Sequence, residues 1–74
     1  MKPAVILIGP QLGENIGTVA RAMLNFGLED LRLVNPRHGW DVDRAINASA
    51  GADKVVENRK TFMTTAEAIA DLGY

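Results

Sequence analysis

The sequence predicts an α/β fold built on a parallel sheet. Three features carry that prediction: an aliphatic run over Ala4–Ile8, a helical apolar pattern over residues 14–26, and a second apolar run over Leu31–Val34. The first run is continuous rather than alternating and closes on Gly9-Pro10, as expected of a strand buried on both faces. The helix is marked by Ile16, Val19, Ala20, Met23 and Leu24, which recur every three or four positions. Glu14 and Asn15 stand at its start, where Asn15 is expected to cap a free backbone N–H, and Gly27 stands past its end. Leu31–Val34 forms the second strand, ended by Asn35-Pro36, since a residue before proline is pushed out of helical geometry. Strand, helix and strand make one right-handed βαβ unit with the strands parallel.

Downstream, an alanine-rich helix is expected from Asp41 to about Ala50, capped by Asp41 or Asp43 and stopped by Gly51. Residues 53–62 carry no decisive pattern. Thr64 or Thr65 caps a last helix, in which Thr64 and Glu67 match a capping box, with apolar positions at Ala66, Ile69, Ala70 and Leu72, a stop at Gly73, and Tyr74 at the chain end. Two parallel strands and three helices are few for a sheet normally covered on both faces, so these 74 residues are expected to be part of one larger domain with no internal boundary.

Composition narrows the function. Eight Lys and Arg against nine Asp and Glu give a net charge of −1, so no bulk field draws the chain to nucleic acid or membrane and any RNA contact must be local. The absence of cysteine together with a single histidine excludes thiolate and two-histidine metal sites, and no metal is expected. The apolar run after Lys2 spans only five residues, short of the roughly 7–15 of a signal core and the roughly 20 of a membrane helix, which points to a cytoplasmic protein.

Chemistry is concentrated in Gly9-Pro10-Gln11-Leu12-Gly13-Glu14-Asn15-Ile16-Gly17-Thr18-Val19-Ala20-Arg21, which leaves the carboxyl end of the first strand, where open α/β sheets bind ligands. Glycines at 9, 13 and 17 are spaced by four, which fits neither a dinucleotide fingerprint nor a Walker loop. Arg21 follows Gly17 by one turn and is expected to lean over that bare position toward the loop, although a single helix arginine is commonly just solvated. Arg37 and His38, with Arg32 and Arg44 farther off, are expected to form a basic rim at the exit of the second strand, a phosphate patch or merely a solvated turn. Trp40 serves either as a base-stacking platform or as a packing anchor. Phe26, Met23 and Phe62 read as core.

Asn15, Gly17, Arg21 and Phe26-Gly27 reproduce the spacing of the first motif of the SpoU family of RNA ribose 2'-O-methyltransferases, within the knotted SPOUT class, which this chain therefore resembles. Leu28–Arg37 is similar to the family's second strand, particularly in the branch that modifies the tRNA anticodon loop. The resemblance implies the amino-terminal βαβα part of a trefoil-knotted, Rossmann-like parallel-sheet domain, without the later motifs that form the knot and hold S-adenosylmethionine. It implies methylation of a ribose 2'-hydroxyl in tRNA, or with less weight rRNA, by a homodimer whose active site combines both protomers. It also implies Arg21 and Asn15 as catalytic, Arg37, His38 and Arg44 as RNA-binding, and the methyl donor bound beyond this chain. Two readings of other classes stay open: a nucleotide- or phosphate-binding regulatory module, and a non-catalytic interaction fragment.

Overall fold

A computed structural model describes residues 3–72; the stop assigned to Gly73 and the end at Tyr74 lie outside the described residues. Seven elements follow in order: β1 (Val5–Ile8), α1 (Gly13–Asn25), β2 (Leu31–Val34), α2 (Val42–Ala48), α3 (Asp53–Glu57), β3 (Lys60–Phe62) and α4 (Thr65–Ile69). The sheet is parallel with order β1-β2-β3, Val5 pairing with Leu31 and Arg32 with Lys60. The expected pair of strands is thus a trio: the undecided stretch holds α3 and β3, completing a second crossover from β2.

Alternation along β2 decides the layers. Leu31 and Leu33 point to one face, with Val5 and Leu7 of β1, and meet Ile16, Ala20 and Met23 of α1. Ala45, Ala52, Val55 and Val56 extend that core, so α2 and α3 lie beside α1 on the same face. Arg32 points to the opposite face, where its guanidinium donates to the Ala68 carbonyl at 2.6 Å and so places α4 there. Asp30 and Asp71 flank the same guanidinium, with Nη2 2.7 Å from Asp30 Oδ2 and 3.2 Å from Asp71 Oδ2. Both carboxyls are held below the usual carboxylate range, chiefly by hydrogen bonds from Arg32, and the guanidinium is pushed up by the same contacts. The expectation of Arg32 on the basic rim is therefore corrected: at 2% exposure it is a buried tie between β2 and α4.

Three end-of-helix expectations are settled. Asp41 caps α2 by accepting from the Arg44 N–H, and Thr64 and Glu67 form the full capping box of α4. Asn15 caps nothing, because α1 begins at Gly13 after Leu12, which leaves Asn15 inside the first turn with no side-chain cap. Phe26, expected in the core, is 80% exposed at the end of α1, while Met23 one turn earlier is buried.

Glycines set the spacing of α1 and α2. A Cβ at Gly13 would stand 2.2 Å from the Asp41 carbonyl oxygen, and one at Gly17 2.1 Å from that of Ala45 and 2.8 Å from the Ala48 Cβ. The bare positions of the motif are thus filled by the backbone of α2, and the two helices touch as only glycine permits.

Candidate RNA-binding face and the motif helix

The carboxyl ends of β1 and β2 feed two loops that are stitched together. Gly9, at φ 63°, turns the chain out of β1 and donates its N–H to the Val34 carbonyl at 2.8 Å. Arg37 N–H donates to the Pro10 carbonyl at 2.9 Å, and Trp40 N–H to the Arg37 carbonyl at 3.2 Å, across a turn in which Gly39 has φ 74°. Asn35 adopts φ 47° and donates its N–H to the Phe62 carbonyl at 2.8 Å, tying the second loop to β3 as well. Asparagine tolerates this left-handed geometry better than other branched or bulky residues.

These loops frame two clefts. The first, about 270 Å³, is lined by Gln11, Gly13, Glu14, Asp41 and Arg44 on its walls. The second, about 360 Å³, opens between the exits of β2 and β3 against Asn35, Pro36, Thr61 and Met63. Arg37, His38 and Trp40 line both, so the turn that carries them is the ridge between the clefts.

Charge is distributed unevenly over this face. Arg44 lies between Glu14 and Asp41, its nitrogens 3.6 and 3.5 Å from their carboxylate oxygens. Arg37 and His38 are exposed and have no side-chain hydrogen bond or ion pair among the described residues. Trp40 is half-buried against the core, with the Arg59 guanidinium 4.8 Å from its ring centroid, and Arg59 is itself fixed by donating to the Val56 carbonyl at 2.9 Å. The indole acts as an anchor for the ridge.

Of the five residues picked from the sequence, the structure brings Arg37, His38 and Arg44 to one cleft and leaves Arg21 and Asn15 on α1 outside it. Gly17 faces α2, so the room expected over it for Arg21 is occupied. Arg21 is exposed, with no ion pair or side-chain hydrogen bond among the described residues, and so is Asn15. Six positions apart at about 100° per residue, the two diverge by about 120° around the helix. Gln11, Gly13, Asp41, Thr61 and Met63 went unnoticed as lining residues. The Gly13/Gly17 spacing of four, facing alanines at 45 and 48, is the signal that would have placed α2 and hence the first cleft. Among the described residues no group of three or more His, Asp or Glu is gathered to hold a metal ion, and no helix is long and apolar enough to cross a membrane.

A family model described as the SpoU rRNA Methylase family matches residues 2–73. This chain belongs to that family. The three-stranded parallel sheet and its helices are the amino-terminal α/β part of a SPOUT domain. The crystal structure of TrmJ from Z. mobilis superposes with a TM-score of 0.89 and 60% identity, covering 96% of this chain and 32% of that one. Among curated proteins, the tRNA (cytidine-2'-O-)-methyltransferase TrmJ of Methanocaldococcus jannaschii is 37% identical over 71 residues, which are 96% of this chain and 30% of that protein. The uncharacterized tRNA/rRNA methyltransferase LasT of Escherichia coli is 36% identical over 75 residues, covering 32% of its length. The chain thus spans about a third of the length of the curated SpoU relatives it matches. Membership of a methyltransferase family implies a methyl donor in general terms.

Proposed function

We propose that residues 1–74 are the amino-terminal part of one SPOUT methyltransferase domain and that the full-length protein, a cytoplasmic homodimer, methylates a ribose 2'-hydroxyl in tRNA, or as second choice in rRNA. The observation that supports the reading most is Arg21: in the SpoU motif of this chain its guanidinium is exposed and free of any carboxylate among the described residues. Arg32 and Arg44, by contrast, each lie against two carboxylates.

S-adenosylmethionine is the proposed donor and supplies the methyl group. The donor is assigned to the part of the protein beyond this chain, where the family resemblance puts the motifs that hold it. What this chain contributes is the RNA side. Arg37 and His38 hold phosphate, while Arg44, balanced between Glu14 and Asp41, shapes the wall. Arg21 is assigned as a phosphate ligand and not as the proton acceptor: it binds a flanking phosphate through two N–H groups and stabilises the charge forming at the 2'-oxygen, while the hydroxyl proton leaves by way of that phosphate as the oxygen takes the methyl group. Asn15, in the first turn of α1 and about 120° around the helix from Arg21, is assigned to the rim of the loop that leaves β1. Because Arg21 and the clefts do not converge within one protomer, the homodimer is integral to the reading: Arg21 of one copy serves the site of the other.

The test is methyl transfer to unmodified tRNA by the full-length protein. Arg21→Ala is expected to abolish transfer while leaving donor binding intact, and normal methylation by that variant would overturn the assignment.

A further inference from the structure

We propose that the turn carrying Arg37 and His38 is a phosphate-binding ridge between two nucleoside clefts, so that this face takes at least two consecutive nucleotides of single-stranded RNA. The inference rests on the RNA reading above and adds to it a footprint and a polarity of contacts. Three observations converge.

The Arg37 guanidinium and the His38 imidazole, both unpaired among the described residues, sit on the ridge and line both clefts, whereas the arginine on a cleft wall, Arg44, is neutralised by Glu14 and Asp41. A phosphate is therefore drawn to the ridge, and the carboxylates repel it from the first cleft. Those same carboxylates and the Gln11 carboxamide suit a nucleoside, whose ribose hydroxyls and exocyclic amines are donors. Away from the ridge the second cleft is walled by Pro36, Met63 at 73% exposure, Thr61 and Asn35, apolar surface with a few polar groups, which suits a base.

The ridge is built to hold position. The Arg37 N–H is bonded to Pro10, the turn closes through Trp40 N–H to the Arg37 carbonyl, and Trp40 is clamped between core and Arg59. A chain of RNA crossing it places one nucleoside on each side of a single internucleotide phosphate.

The experiment measures binding of single-stranded oligoribonucleotides of one to four residues, and of full tRNA, to the full-length protein at fixed salt. The dinucleotide is also made with a neutral methylphosphonate in place of its bridging phosphate. Affinity is expected to step up about tenfold between mononucleotide and dinucleotide, and the methylphosphonate to remove about tenfold in the native protein. In Arg37→Ala the methylphosphonate effect should vanish, and Arg37→Lys should restore part of it. A smooth rise of affinity with length, or a methylphosphonate penalty that persists in Arg37→Ala, overturns the ridge while tRNA binding leaves the RNA reading standing. If neither the oligonucleotides nor tRNA bind, the RNA reading itself fails and the ridge with it.

Discussion

Gly17→Ala isolates the packing on which the motif helix depends. The added Cβ would stand 2.1 Å from the Ala45 carbonyl oxygen and 2.8 Å from the Ala48 Cβ, against ordinary contact at about 3.5 Å, so α2 must retreat by more than about 1 Å. The obstacle is backbone in the middle of a helix and not the mobile end of a side chain, and Ala45 itself is fully buried. Overpacking of this kind costs about 1–3 kcal/mol and occasionally more, while replacing glycine in a helix returns about 1 kcal/mol of propensity. The clash should win, with a net loss of about 1 kcal/mol or more, a large share of the stability of so small a unit. Urea unfolding followed by circular dichroism measures it. The exposed helix position Ala22 supplies the control, where Ala22→Gly should cost about 1 kcal/mol through propensity alone. If Gly17→Ala were as stable as the parent or more so, α1 and α2 would not be in contact, and the first cleft, whose walls belong to both, would lose its basis.

The remaining predictions concern the turn after α2, the buried arginine and the ridge. Ala50 has φ 49°, a left-handed conformation that costs a side-chain-bearing residue about 1–2 kcal/mol, so Ala50→Gly should stabilise by about 0.5–1 kcal/mol after the greater freedom of glycine in the unfolded chain is deducted. A lower urea midpoint for that variant would contradict it. Hydrogen bonds from Arg32 hold Asp30 and Asp71 below the usual carboxylate range when folded, so the stability they contribute is present above that range and is lost as pH falls through the depressed values. Hydrogen exchange at α4 should accelerate in acid before the rest of the core does, and Asp71→Asn should flatten that dependence; uniform exchange would show that Arg32 does not hold α4. Arg37→Ala should weaken tRNA binding and reduce the salt dependence by about one phosphate contact, and an unchanged slope would remove Arg37 from the interface.

Much of the fold was legible because each long element carries its own signal. The continuous run before Gly9-Pro10, the helical period through Met23 and the reciprocal pair Thr64 and Glu67 each needed no tertiary context. The elements that were missed have no such signal. Helix α3 is five residues and β3 is three, too short for a period to emerge, and Lys60-Thr61-Phe62 becomes a strand only because β2 offers it an edge. Arg32 looked like a surface charge since nothing local announces that Asp71, far along the chain, will cover it together with Asp30. Phe26 looked like core by residue type alone, yet it falls at the helix cap, beyond the last turn that faces the sheet. The site divided in the same way. The place of Arg37 and His38 at the exit of β2 was readable from the sequence, while the turn that holds them depends on a hydrogen bond to Pro10 and on Trp40 packed against the core. Arg21 was singled out by its place in the motif, but its surroundings were misjudged because the space over Gly17 belongs to α2.

The most direct measurement is the position of the methyl group after the full-length protein acts on unmodified tRNA with isotopically labelled S-adenosylmethionine. Label recovered in a nuclease-resistant dinucleotide, as a blocked 2'-oxygen requires, and lost in Arg21→Ala, is the result expected. Label on a base, or undiminished transfer by Arg21→Ala, would contradict the account.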